Sequence, residues 1–249
     1  MVTNVFKRYE MKYLLNLKQY EAIKSKVQER LTNDEFGENT IQSLYYDTLN
    51  DRLIRLSLEK PIFKEKLRLR CYNLNNDNKD IYVEMKRKYD GIVYKRRIAC
   101  KENEANNLLK NKTQSSQIGK ELNYFTTFYG NLIPKILIIY DRSAYYDKNS
   151  CLRITFDKNI RYRKDNLNFH TSLDGENLLP NNLVLMEIKT DAALPLWVCD
   201  IIDKEHIIKT SFSKYGTAYE HEFYKLKVEN KRSNQLCLNQ SLVMVPSLQ

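Results

Sequence analysis

The sequence predicts an α+β domain built on antiparallel strands that each carry one charged and one apolar face. Two observations point to it. Strand-like and helix-like segments alternate along the chain without a break, and the same two-faced strand recurs from one end to the other. Because side chains alternate across a strand, Arg8, Glu10 and Lys12 share one face while Tyr9, Met11 and Tyr13 share the other. Lys64, Lys66, Arg68 and Arg70 oppose Leu67, Leu69 and Cys71, and Glu84, Lys86 and Lys88 oppose Val83 and Met85. Arg153, Thr155 and Asp157 oppose Leu152, Ile154 and Phe156, and Glu187 and Lys189 oppose Val184, Met186 and Ile188.

In chain order, the first strand is expected near Phe6–Tyr13. A helix over Lys18–Leu31 follows, with Tyr20, Ile23, Val27 and Leu31 at helical spacing. A strand over Ile41–Asp47 leads to a short helix or turn over Asn50–Leu58. Three closely spaced strands are expected near Lys64–Asn73, Asp80–Tyr89 and Ile92–Cys100. Helices over Glu102–Lys110 and Gln117–Tyr129 separate them from strands near Lys135–Ser143 and Cys151–Tyr162. The turn residues Pro180–Asn182 open a strand over Leu183–Thr190, one helix begins after Pro195, and another over Thr217–Val228 closes the domain. The expectation is one domain over residues 1–229 with a loose tail over 230–249.

Composition narrows the function classes. Of 249 residues, 42% are hydrophobic, enough for a core, and Lys and Arg outnumber Asp and Glu by 41 to 31, which favours polyanionic partners. The five cysteines are scattered without a C-x-x-C pair and the histidines are far apart, so neither a disulfide framework nor a zinc site is expected. The six glycines form neither a dinucleotide fingerprint nor a P-loop. With no apolar leader at the N-terminus and no run approaching the roughly 20 apolar residues of a membrane span, a cytoplasmic location is expected. Nucleic acid is not expected as a partner, because the aromatics fall mostly on the apolar sides of strands or in helices.

A charged strand face is commonly the wet side of a half-exposed sheet. Here, however, those faces are almost wholly charged, and Glu-x-Lys recurs at Glu10/Lys12, Glu84/Lys86 and Glu187/Lys189. A barrel turning these faces inward would crowd like charges that an anion must neutralise. A phosphate chain does so with many acceptors for charge-assisted hydrogen bonds. Glu10, Glu84 and Glu187 are then candidate ligands for Mg²⁺ or Mn²⁺, or simply partners of neighbouring Lys and Arg.

The segments R-Y-E-M-K-Y (Arg8–Tyr13), S-L-Y-Y-D-T (Ser43–Thr48), K-L-R-L-R-C-Y (Lys66–Tyr72) and E-M-K-R-K (Glu84–Lys88) are similar, in order, to blocks of the VTC domain. So are V-Y-K-R-R (Val93–Arg97), Y-D-R (Tyr140–Arg142), L-R-I-T-F-D (Leu152–Asp157), M-E-I-K (Met186–Lys189) and S-F-S-K-Y-G (Ser211–Gly216). The VTC domain is the polyphosphate polymerase module of the triphosphate tunnel superfamily, which also contains the CYTH hydrolases. The resemblance implies a tunnel-like antiparallel β-barrel of about eight strands with helices outside, and metal-dependent transfer of the ATP γ-phosphoryl group to a growing inorganic polyphosphate chain. It implies a phosphate path along Lys12, Arg55, Lys66, Arg68, Arg70 and Lys86, completed by Lys95 or Arg97, Arg142, Arg153 and Lys189. Tyr140 would touch a phosphate, Glu187 would hold the metal, and Ser213 and Lys214 would cap one end. Arg68, Arg70, Lys86, Arg153 and Glu187 would form the catalytic set. Export of product would call for a membrane partner protein. The alternatives on the same fold are a metal-dependent triphosphatase and a binding module without turnover.

Overall fold

The computed structural model describes residues 9–72, 80–90, 92–110 and 116–227. Arg8 and the tail expected from residue 230 onward lie outside them. The elements, in order, are β1 (Tyr9–Asn16), α1 (Leu17–Arg30), β2 (Thr32–Thr48), α2 (Arg52–Leu58), β3 (Phe63–Tyr72), β4 (Ile81–Tyr89), β5 (Ile92–Cys100), α3 (Glu102–Lys110) and α4 (Gln117–Tyr129). They continue with β6 (Leu132–Tyr146), β7 (Arg153–Arg163), β8 (Glu176–Asn177), β9 (Leu183–Thr190), α5 (Leu196–Lys204) and β10 (Lys209–Thr210). A final helix, α6, is described over residues 214–227.

Every ladder is antiparallel, and one curved sheet runs β10-β1-β9-β7-β6-β2-β3-β4-β5, with β8 beside β7. This is the expected α+β class with a tunnel-like sheet. Among the described residues, no ladder joins β5 to β10 or β1, so the wall is open along one seam. Side chains cross that seam: Lys86 on β4 reaches Glu10 on β1 at 3.4 Å. The segment after β10 also fills it, with the Phe212 carbonyl accepting from Lys12 at 2.8 Å and Ser213 Oγ accepting from Lys66 at 3.1 Å.

The outer face is apolar and covered by helices. Leu67 and Leu69 of β3 and Val83 and Met85 of β4 pack under Ala105 of α3 and Leu122 and Phe125 of α4. On the other half, Ile154, Phe156, Met186 and Ile188 meet Tyr20, Ile23 and Val27 of α1 and Val198 and Ile201 of α5. Each buried side chain of this size is worth about 1.5–3 kcal/mol of apolar transfer, so the alternation itself decides which face turns inward. At the start of α1, Asn16 and Gln19 form a reciprocal capping box.

One helix departs from the expectation that all of them lie outside. Tyr215 and Ala218 of α6 pack on Tyr45, Ile136, Ile138, Tyr140 and Leu185, which belong to the inner face. Ile136, Ile138 and Leu185 interrupt the charged lining with an apolar floor that only a helix from within can cover. Asp47 fastens this arrangement. Its buried carboxylate accepts from the backbone of Thr48, Leu53 and Ile54 at 2.8–2.9 Å and from the Tyr215 hydroxyl at 3.1 Å. The β2 strand is also longer than expected, because Asn33–Glu38 bulges out of register against β6 instead of alternating.

Candidate functional site

Among the described residues the charged faces turn inward, and most of their cations converge on four carboxylates. On β3, β4 and β5, Glu84 is 1% exposed and receives Arg97 at 2.6 Å, Lys95 at 2.7 Å, Arg68 at 2.8 Å and Arg70 at 3.6 Å. Arg68 also donates to the Tyr45 hydroxyl at 2.9 Å, and Tyr45 stacks on Tyr215 with ring centres 4.5 Å apart. Across the lumen, Asp157 on β7 accepts both Arg142 nitrogens at 2.5 and 2.7 Å and Lys214 at 2.5 Å. Glu187 on β9 lies within 3.3–3.6 Å of Lys214, Lys189, Lys12 and Arg142. Glu10 on β1 is shared by Lys12 and Lys86, each at 3.4 Å.

These contacts reset the charges. Burial would raise the Glu84 carboxyl, but Arg68, Arg70, Lys95 and Arg97 outweigh it and hold the group far below the usual range. The same contest holds Glu187 and Asp157 low, and brings Glu10 to about 2. The carboxylates hold Arg68, Arg97, Arg142 and Lys214 firmly charged but leave several lysines unrelieved. Burial drives Lys66 down to about 8, and burial with the neighbouring arginines drives Lys95 to about 7 against the pull of Glu84. Lys189, half-buried in the lumen, is also lowered by its burial. For Tyr45, burial acts upward, but Arg68, Lys66 and Arg70 overcome it and bring the phenol to about 8.

Of the residues picked from sequence, Lys12, Lys66, Arg68, Arg70, Lys86, Lys95, Arg97, Arg142, Lys189 and Lys214 belong to this lining, with Ser213 at the seam. Lys95 and Arg97, taken as alternatives, both reach Glu84. Arg153 sits at one mouth, bonded to Asp34 at 2.7 Å. There, a cavity of about 580 Å³ opens between Asp34, Tyr72, Tyr82, Arg97, Arg142 and Arg153. Tyr140 is buried and carries Lys214 and Arg142 over its ring at 4.6 and 5.2 Å.

Two choices stand apart from the rest. Arg55 is an exposed residue of α2 and, among the described residues, joins none of these ion pairs. Glu84 holds three of its four cations within 2.8 Å, closer than any cation around Glu187, so its oxygens are engaged in anchoring the arginines. Two residues escaped selection. Asp157 lies at the third position of the Arg153–Asp157 face, so the alternation that exposed Arg153 could have flagged it. Tyr45 sits in an apolar-looking run and left no such signal.

Among the described residues, no three His, Cys, Asp or Glu side chains converge on one point. Glu10, Glu187 and Asp157 instead line adjacent strands, joined through Lys12 and Lys214. Such a hard-oxygen set fits a small divalent cation that takes one or two carboxylates and completes its shell with phosphate oxygens and water.

Comparison with known proteins agrees with this architecture. A provisionally assigned adenylate cyclase from Bacillus halodurans superposes with a TM-score of 0.52 at 11% identity, covering 85% of this chain and 96% of its own. A similarly assigned protein from Vibrio parahaemolyticus gives 0.50 at 11% identity over 86% and 99% of the two chains. HpAC1 from Hippeastrum, with a dominant triphosphatase activity, gives 0.51 at 12% identity over 85% and 95%. At these identities the likeness is one of fold. The search of curated protein sequences gives no match. Among the described residues, no helix is long and apolar enough to cross a membrane. The VTC domain family matches residues 7–223, and the chain belongs to that family, on the triphosphate tunnel fold.

Proposed function

We propose that the protein is an ATP-dependent polyphosphate polymerase, moving the γ-phosphoryl group of ATP onto the end of an inorganic polyphosphate chain lying in the lumen. The observation that carries this reading is the surplus of inward cations over the four carboxylates, together with orphaned donors. Arg70 Nε, Ser43 Oγ and Thr155 Oγ1 are buried without a hydrogen-bond partner among the described residues. A polyanion supplies acceptors to all three and relieves the crowding of Lys66, Lys95 and Lys189.

The reaction breaks the bond from the γ-phosphorus to the oxygen bridging it to ADP, and forms a bond to a terminal oxygen of the chain. Both reactants are already ionised, so no general base is needed; positioning and charge stabilisation dominate. Arg68 and Arg70, fixed by Glu84, and Arg142, fixed by Asp157, hold phosphate oxygens in place. Lys12 and Lys214 neutralise charge near Glu187. Glu187, with Glu10 on the neighbouring strand, would hold a Mg²⁺ or Mn²⁺ ion, which would supply Lewis-acid charge to the phosphates. Lys86 and Lys95 face the chain from the opposite wall, and Arg153 meets it at the mouth.

The test is incubation with ATP and Mn²⁺ and a pyrophosphate seed, with products resolved on a gel stained for polyphosphate. A ladder of lengthening chains is expected. Orthophosphate without a ladder would replace this reading with a triphosphatase, and bound polyphosphate with no turnover would leave a binding module.

A further inference from the structure

The inner face of β3, β4 and β5 is organised in cross-strand rows, and two of them carry lysines directly opposite one another. Arg68, Glu84 and Arg97 form one row, with the carboxylate in the middle. The next row is Lys66, Lys86 and Lys95, and beyond it Lys64 faces Lys88. Like charges placed directly across a ladder destabilise it, so this order needs an external reason.

Compensation falls off along the rows. Glu84 serves the first and reaches Lys95 in the second, and Glu10 reaches Lys86. Among the described residues, neither Lys64 nor Lys88 has a carboxylate within ion-pair distance; Lys64 donates only to the Ser57 carbonyl at 3.3 Å. Burial lowers the Lys64 ammonium, and Lys88, Lys86 and Lys60 push it the same way. These residues lie at the end of β3 away from Tyr72 and Arg97, which line the large cavity. At the usual strand rise, Lys64 is about 20 Å from Arg70, further than one triphosphate needs to reach.

We infer that Lys64 and Lys88 form a distal subsite for inorganic polyphosphate, gripping the part of a long chain that extends beyond the catalytic cations and leaves by the β3 start. This rests on the proposed polymerase reading for its ligand, but it is tested by binding alone. The double variant Lys64→Ala/Lys88→Ala, the charge-keeping Lys64→Arg/Lys88→Arg and the parent protein are titrated with tripolyphosphate and with a polyphosphate of about fifteen phosphates. Thermal unfolding without ligand checks the fold.

Two partly exposed charge-assisted contacts predict about tenfold weaker binding of the long chain by the alanine variant. Tripolyphosphate affinity should change less than twofold, and the arginine variant should bind the long chain as the parent does. Equal losses for both lengths, or no loss for either, would overturn the subsite while leaving the polymerase reading intact. A parent protein that binds neither anion would overturn both.

Discussion

Replacing Glu84 with Gln isolates the role of the carboxylate that four cations share. Breaking a buried ion pair on one side costs about 3–5 kcal/mol, chiefly because the partner charge stays buried and unpaired. Arg68 and Arg70 are largely enclosed, whereas the Lys95 and Arg97 side chains are 42% and 37% exposed and are relieved by solvent. The lower end, about 3 kcal/mol, is therefore expected, a drop of about 6–12 °C in Tm for a chain of this size. An anion should reverse much of it, because phosphate oxygens can occupy the place of the lost carboxylate. If saturating tripolyphosphate halves the deficit, linkage requires Glu84→Gln to bind it about tenfold more tightly than the parent. Turnover should nevertheless fall by about 100-fold, because Arg68 and Arg70 lose the group that orients them. Urea unfolding with and without tripolyphosphate, alongside single-turnover kinetics, measures all three quantities. A variant as stable as the parent, or one that binds the anion no more tightly, would refute the anchoring role.

Glu187→Gln should abolish metal-dependent turnover while leaving metal-free tripolyphosphate binding in place, because the amide keeps the shape but loses the charge; full activity would remove Glu187 from the site. Arg68→Ala should lower turnover far more than stability, since Glu84 retains Arg70, Lys95 and Arg97; a large Tm loss with turnover intact would make Arg68 structural. The lowered Lys66 (about 8) and Lys95 (about 7) give a sign to the pH dependence. Phosphate needs them protonated, so affinity should fall as pH rises from 7 to 9, and binding at pH 8 should take up protons, visible as a buffer-dependent heat in calorimetry. The unfolded chain keeps those protons to about 10.5, so ligand-free stability should rise from about pH 7 toward that value; a flat profile would count against both lysines.

The sequence made the lumen legible because alternation is a strict signal: once Leu67 and Leu69 must be buried under helices, Lys66, Arg68 and Arg70 have only one other face. The carboxylates were harder. Glu10, Glu84 and Glu187 look alike in a Glu-x-Lys step; Glu84 and Glu187 each gather four cations, and only distance separates them, three lying within 2.8 Å of Glu84 and none closer than 3.3 Å to Glu187. The place of Arg55, exposed on α2, carried no such signal, since a seven-residue helix is too short for a period to fix its face. The inner position of α6 was hidden because Ile136 and Ile138 belong to an apolar run, Ile136–Tyr140, that does not say which of its two faces meets the helix. The open seam was equally hidden, since strand pairing between distant segments leaves no local mark.

That seam changes what kind of enclosure this is. A barrel closed by backbone has a bore fixed by its ladder, and a polymer can enter only end first. Among the described residues, the gap is spanned by a lysine, a glutamate and a short segment, and parting Lys86 from Glu10 breaks no ladder hydrogen bond. Solvent-screened bridges of this kind are worth about 1 kcal/mol or less. The gap is therefore held by side-chain bridges, whose rotamers exchange in nanoseconds when exposed, and by the segment that leads into α6. On the proposed reading, such a seam would act as a clasp, admitting a chain sideways where no free end is near.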